Sequence, residues 1–341
     1  MTKRSRKRPP TMKDVAKLAG VSQTTVSFVI NKTPDTGIPQ ETKDRVWSAA
    51  SELGFRPNVL AQNLRTQSSS LLGFITDEIA ITPYAGKIFE GAQDAAWKHG
   101  KILLLANTKN DMEVANAAIE QLLKYQVEGI IYATMFHQPI KPPKTLHEVS
   151  TVLLDCYSED RSFPSVVPEE VNGGRRATRF LLEKGHRRIG FINNIADIPA
   201  THGRFQGYKQ VLSEFGIQYD ESLVRNDVAA SEGGYNQTMK LMQLTAPPTA
   251  IFCFNDRIAM GAYDAIRKLE LSIPNDVAIL GFDNQEIIAA HLYPPLTTLE
   301  LPHYRMGEWA VNKLIDLIEE KDSDPLVQHK IDCPLIIRNS V

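Results

Sequence analysis

The sequence predicts a small all-α head of helix-turn-helix type joined to a large two-lobed α/β body built from two doubly wound parallel sheets. Three observations predict it. Residues 11–31, TMKDVAKLAGVSQTTVSFVIN, read as two short helices around one glycine. From Leu71 onward, strand-like apolar runs alternate with amphipathic helices, a βαβ rhythm that implies parallel strands covered on both faces. The rhythm comes in two series, which implies two lobes with a cleft between them. At 341 residues, 43% hydrophobic and 23% charged, the chain has the length and apolar mass for such a body plus a head.

The head comes first. Its leading ten residues, MTKRSRKRPP, carry five basic side chains and no acidic one. Thr11 followed by Asp14 has the spacing of a capping box, in which each side chain satisfies an orphan amide at a helix start. Val15, Ala16 and Ala19 share one helical face. Gly20 marks the turn, because glycine takes φ > 0 without steric cost. Ser22 is a natural N-cap for a second helix, Gln23 to about Asn31. There Val26, Val29 and Ile30 face the first helix, while Gln23, Thr24, Thr25, Ser27 and Phe28 face away. The second helix of such a pair fits the major groove of DNA. After a polar loop, Pro39 opens a third helix with Val46, Ala50 and Leu53 on one stripe and Gly54 as its stop. Trp47 reads as core or backbone-facing. Residues 1–65 hold 12 Lys/Arg against 5 Asp/Glu, a net of +7, and the remainder 26 against 35, a net of −9. A basic head on an acidic body suggests that the head alone meets a polyanion.

Residues 57–65, PNVLAQNLR, could form a helix of about two turns, too short to persist alone in water. The polar run TQSSS after it is a linker. The domains are therefore a basic tail (1–10), a DNA-reading head (11–56), a hinge and linker (57–70) and a body (71–341).

In the body, LLGFIT precedes a helix near 85–99, KILLLAN one near 112–125, and GIIYATM a Pro-rich crossover, IKPPK. TVLLDCY opens the second series. It continues through a helix near 172–184, RIGFINN, a helix near 204–215, a short strand near 223–228 and a helix near 232–244. Next come AIFCFND, a helix near 257–269 and AILGFDN. YPPLTTLELP crosses back to a helix near 306–319, and KIDCPLIIR can close a sheet. The chain is expected to cross between lobes near 140–150, 290–300 and 320–330.

The pattern AxLAGVSxTTVSxVxN followed by N-x-x-A-x-x-L resembles the lactose-repressor (LacI/GalR) family of bacterial transcription regulators. The body, through EKGHRRIGFI, RFQGY, AIFCFNDRIAMGA, AILGFDN and PPLTTLELP, is similar to the periplasmic-binding-protein-like domain of that family. The resemblance implies a cytoplasmic, homodimeric repressor whose affinity for operator DNA is controlled by a sugar or other small metabolite held between the lobes. It places DNA contacts at Thr11, Ser22, Gln23, Thr24, Thr25, Ser27, Phe28, Asn31, Asn58, Ala61 and Leu64. Leu64 stands at the family's leucine wedge, on a hinge helix that orders when two subunits bind DNA. Arg204 matches the arginine that grips ligand oxygens, and Tyr84 an aromatic lining the cleft. No leucine heptads follow the last strand, so a dimer is expected. Two departures stand out. Phe28 occupies a position that is usually arginine in the family. No tryptophan lies between Trp97 and Trp309, so Tyr84, Phe136 and Phe282 would have to supply any aromatic wall.

Ligands of doubly wound lobes bind beyond the carboxyl ends of the strands. Asp77, His137, Asp155, Asn193, Asn194, Asn255, Asp256 and Asp283 end strand-like runs and are the candidates there. Of these, Asp77, Asp155, Asn255 and Asp283, with Tyr84, Phe136 and Arg204, make up the expected effector site. Arg204 offers a planar fork of donors, Asp283 accepts, and Asn255 does both, a mixture suited to hydroxyls. The chain has no GxGxxG after a strand, P-loop, GxSxG or HExxH, so no cofactor and no enzyme class is indicated. Asp155 and Asp283 could be imagined as a glycosidase pair, but such aspartates are common at strand ends of non-catalytic lobes. A transporter's solute receptor would share the fold, yet it would need export, and the DNA-reading head stands where a signal peptide should be. Cys156, Cys253 and Cys333 lie in apolar runs and read as reduced core residues, not metal ligands. No apolar run approaches the roughly 18 residues of a membrane span, so no membrane partner is expected.

Overall fold

The computed structural model describes residues 8–31, 33–56, 69–79, 82, 85–321, 324 and 326–341. The expected hinge contacts Asn58, Ala61 and Leu64, the cleft aromatic Tyr84 and most of the basic tail lie outside these residues. The chain divides into two units, Met1–Ser69 and Ser70–Val341.

The head is three helices, each with its start and stop written locally. In α1 (Met12–Ala19) Asp14 Oδ2 accepts from both the Thr11 amide at 2.8 Å and its hydroxyl at 2.7 Å. Gly20 then takes φ 66° and ends the helix. In α2 (Gln23–Ile30) Ser22 Oγ accepts from the Thr25 amide at 3.0 Å. α3 (Gln40–Leu53) follows Pro39 and stops at Gly54. Val15, Ala16, Ala19, Val26, Val29, Ile30, Val46, Ala49 and Ala50 form the core. One expectation is corrected. Leu53 is 37% exposed and not core, and Ala49 takes its place; Trp47, 44% exposed, is not core either, which leaves the second of its two readings, facing the backbone. A bundle of 8- and 14-residue helices is too thin to bury a large side chain at every apolar position.

The body carries two six-stranded sheets. Its elements in chain order are β1 (Leu71–Thr76), α4 (Gly86–Lys98), β2 (Ile102–Asn107), α5 (Met112–Lys124), β3 (Gly129–Ile140), β4 (Ser150–Ser158), β5 (Ser165–Pro168), α6 (Glu170–Glu183), β6 (Ile189–Asn194), α7 (Pro199–Glu214), β7 (Val224–Asp227), α8 (Ser231–Met242), β8 (Ala250–Cys253), α9 (Asp256–Lys268), β9 (Ala278–Asp283), α10 (Glu286–Ala289), β10 (Thr297–Glu300), α11 (His303–Ile318), β11 (Gln328–Ile331) and β12 (Leu335–Ile336). The first sheet runs β11-β5-β4-β3-β1-β2 and the second β12-β10-β9-β8-β6-β7. The strand pairs are parallel except β10 with β12. Because side chains alternate across a strand, each sheet feeds two cores. Phe74 joins a cluster with α4 and α11, and Ile75 one with α5. Phe252 and Leu280 join a cluster with α6 and α7, while Ile251 and Ile279 join one with α8 and α9.

The crossings differ from expectation. β4 does not open the second lobe: it pairs in parallel with β3 in the first sheet, Gly129 opposite Ser150. The prolines of IKPPK only end β3, and a short 3-10 helix, Lys144–Glu148, returns the chain to the same lobe. A proline breaks an element but does not decide which sheet the next strand joins. The chain crosses after β5, again between β10 and α11, and last between β11 and β12. KIDCPLIIR therefore supplies a strand to each sheet rather than closing one.

In the second lobe α6 and α7 touch backbone to backbone. A Cβ on Gly174 would lie 2.3 Å from the Arg204 carbonyl oxygen, and one on Gly207 2.3 Å from that of Val171. Overpacking such a contact costs about 1–3 kcal/mol. Gly174→Ala is therefore expected to lower unfolding free energy by that amount in urea titration. Gly86→Ala, with open space around it, should change it little.

Candidate functional site

The exposed face of α2 is the first candidate. Gln23 and Thr24 are exposed, and Phe28 is 38% exposed. The other expected contacts also serve the helix ends. The Ser22 and Thr25 hydroxyls are 2.8 Å apart at its start. At its end Asn31 Nδ2 donates to the Ser27 carbonyl at 2.7 Å and to its hydroxyl at 3.1 Å. The Thr11 hydroxyl is held by Asp14. Phe28 and Trp47 line one depression with Lys43, so the aromatic stands where α2 meets α3.

The second candidate is a cavity of about 160 Å³ between the lobes of the body. Phe136, Asp155, Arg204, Asn255 and Asp283, all expected there, line it, as do His137 and Asn194. It lies where the two sheets point their carboxyl ends, as the doubly wound topology requires. Arg204 is 2% exposed. Its Nε donates to Glu170 Oε2 at 2.7 Å, and its Nη1 to the Phe254 carbonyl at 2.6 Å and to Asp283 Oδ1 at 3.5 Å. The guanidinium carbon sits 3.6 Å from the Phe282 ring centre and 4.4 Å from that of Phe254, an aromatic sandwich that favours the cation. Asn255 caps α9, its Oδ1 accepting from the Ile258 amide at 2.9 Å. Asp283, at φ 103°, also accepts from Gln285 Nε2 at 3.0 Å.

Four expected positions do other work. Asp77 is not a lining residue: its carboxylate accepts from the Glu78 and Met135 amides at 2.5 and 2.9 Å, clasping the end of β1 to β3. Asp256 is wholly buried and takes the Thr298 hydroxyl and the Gln285 amide, at 2.6 and 2.7 Å. Phe282 is also wholly buried; it reaches the site only through Arg204. Asn193 donates to the Thr201 carbonyl and lies outside the lining. The sequence reading missed Glu170, Arg257 and Phe254, all of which line the cavity. Recognising SVVP as a strand would have placed Glu170 at its carboxyl end.

Burial outweighs the pull of Arg204 on Asp283 and pushes its carboxyl up to about 6. Burial also raises Asp155 well above the ordinary carboxylate range, and Glu170 adds to it. His137 is lowered by desolvation. Between the ordinary 3.8 and about 6, folded Asp283 keeps a proton that the unfolded chain has lost. Stability therefore falls as pH rises through that window. Asp155 acts in the same sense. Asp283→Asn should flatten the fall, read as the difference in urea unfolding free energy between the two ends of the window.

The comparisons with known proteins cover both units. The family described as "Bacterial regulatory proteins, lacI family" matches residues 11–58, and "Periplasmic binding protein-like domain" matches residues 178–341. The HTH-type transcriptional repressor PurR of Pasteurella multocida (strain Pm70) is 33% identical over 334 residues, covering 97% of this chain and 98% of that one. PurR of Aliivibrio salmonicida (strain LFI1238) is 31% identical over 313 residues, 91% of this chain and 93% of that one. Among solved structures, the lac repressor dimer bound to operator and the anti-inducer ONPF superposes with a TM-score of 0.79 at 25% identity, covering 98% and 99% of the two chains. The transcriptional regulator CelR–cellobiose complex gives 0.67 at 27%, covering 97% and 100%.

Proposed function

Because the chain belongs to the lacI family of bacterial regulatory proteins and is a DNA-binding transcriptional repressor of that family, we propose how its own residues carry out the two halves of that task. Gln23, Thr24 and Phe28 read base edges from the exposed face of α2, while the basic tail and Lys43 meet phosphates. Ser22, Thr25, Ser27 and Asn31 hold the ends of that helix, Thr11 holds the start of α1, and all five contact the backbone of the DNA. Asn58, Ala61 and Leu64 belong to the hinge that enters the minor groove. A small metabolite bound among Phe136, Asp155, Arg204, Asn255 and Asp283 sets the affinity for the operator; Tyr84, which the family resemblance adds, lies outside the described residues. Asp155 and Asp283 act as ligand contacts rather than catalysts. The observation that carries the reading is the capped, outward-facing α2 behind a basic tail.

The repressor works as a homodimer in the cytoplasm. Exposed apolar side chains support this assembly: Trp97, Ile102, Leu105, Met112 and Val114, each 43–60% exposed, lie on β2, the edge strand of the first sheet, or close to it in sequence. Among the described residues no helix is long and apolar enough to cross a membrane.

Selection of bound fragments from genomic DNA tests the reading. A two-fold symmetric motif should emerge, and its absence would refute regulation through an operator. Affinity should fall steeply with salt, because each phosphate neutralised adds about −0.9 to the slope of log K against log salt and two heads make on the order of six or more contacts. A nearly flat response would count against DNA as the target. Phe28 cannot make the bidentate pair that arginine makes with guanine and suits an apolar partner such as a thymine methyl. Phe28→Arg should therefore change base preference at one position of each half-site by about 1–3 kcal/mol, read by comparing the selected motifs of the two proteins.

A further inference from the structure

The cleft holds more acid than base. Asp155, Glu170 and Asp283 line it against two cations, Arg204 and the exposed Arg257; His137 also lines it, but desolvation disfavours its charged form. Arg204 is committed to the wall: Glu170 takes its Nε, the Phe254 carbonyl and Asp283 its Nη1, and two phenylalanine rings cover its faces. A guanidinium held in that way neutralises Glu170 and cannot turn its fork toward a carboxylate or phosphate on a ligand.

Asp155 is the opposite case. It is 4% exposed, lies at φ 56°, and its Oδ1 has no hydrogen-bond partner among the described residues. The neighbouring buried carboxylates of Asp77, Asp256, Glu170 and Asp283 all accept from protein donors. Leaving a buried carboxylate unpaired is costly, so the position calls for a donor that arrives with the ligand. Much of the remaining wall is apolar, including Met135, Phe136, Ile198, Phe254 and Leu301. A molecule hydroxylated all round would leave several of its hydroxyls against carbon, unpaired.

We propose that this cleft takes a small organic cation, with an ammonium or amidinium head on Asp155 and a compact apolar or aromatic body along Phe136 and Phe254, and that Glu170 excludes anions by holding Arg204. The inference deepens the reading of the cleft as the effector site and rests on it. A cation answers both demands of the site: it donates to the orphaned oxygen, and its charge draws Asp155, which burial keeps protonated in the empty cleft, into its ionised form. A cavity of about 160 Å³ suits a ligand of one ring or a short chain.

Three probes that share a ring and differ in the head group test it: benzylamine, benzyl alcohol and benzoate, with D-ribose as a polyol. Binding to the full chain is read by calorimetry and thermal shift at constant ionic strength. Benzylamine should bind about tenfold or more tightly than benzyl alcohol, the margin of a charge-assisted hydrogen bond, and benzoate should not bind. Asp155→Asn should lose that preference; asparagine tolerates positive φ, and circular dichroism with the ligand-free melting temperature verifies its fold. Glu170→Gln, which removes the charge that neutralises Arg204, should raise benzoate binding at least tenfold. The proposal is overturned if benzylamine does not bind at millimolar concentration, if benzyl alcohol or ribose matches it, if benzoate binds the unmodified protein, or if Asp155→Asn keeps the preference. The readout uses no DNA, so failure of the regulator reading appears separately, as absence of operator binding.

Discussion

The second lobe depends on one buried cation. Arg204 joins the start of α6 through Glu170, the end of β8 through the Phe254 carbonyl, and the end of β9 through Asp283 and the Phe282 ring. A charge in a dry interior persists only when it is paired and bonded, and breaking one partner leaves the other exposed to the full cost of burial. Arg204 therefore fixes where the strand ends lie relative to the helices. The small residues of α6 and α7 make this geometry possible: without the bare backbone at Gly174 the helix carrying Arg204 could not lie close enough to reach Glu170. Glycine contact, helix approach and ion pair form one chain of causes that ends in the floor of the cleft.

The same interior sets the chemistry available to a ligand. Desolvation raises Asp155 and Asp283, and Arg204 offsets only part of this because it is shared with Glu170. The cleft is thus a site with acceptors to spare and its strongest donor already engaged. The head is built on the contrary plan. Its core is small, its helices are closed by local caps, and its polar residues stay at the surface. Charge divides in the same way, a net of +7 in residues 1–65 against −9 in the rest. One unit is suited to meeting a polyanion and the other to enclosing a small molecule, which is what a ligand-controlled repressor requires.

Much of this was legible in the sequence, and the reasons are particular. Thr11, Asp14, Gly20 and Ser22 act within one turn of their own helices, so local chemistry placed α1 and α2. Strand runs such as LLGFIT and AILGFDN are apolar throughout because both faces of a parallel sheet are covered, and they were found for that reason. Strand ends and a family motif single out Asp155, Arg204, Asn255 and Asp283, and all four line the cavity. SVVP and TTLE were passed over: four residues each, they carry too little pattern to separate from loop.

The sequence by itself determined the element types, the helix caps, the two-unit division and the family. Each of these is set by interactions within a few residues or by composition. Only the tertiary structure decided the lobe to which TVLLDCY belongs, because parallel pairing with β3 is a contact that no local signal encodes. It also decided that Asp77 is a clasp, that Leu53 lies outside the head's core, and that Arg204 faces Glu170 while one oxygen of Asp155 faces no donor at all among the described residues. Those outcomes depend on which groups distant in the chain are brought within bonding distance and removed together from water, and that is a property of packing in three dimensions.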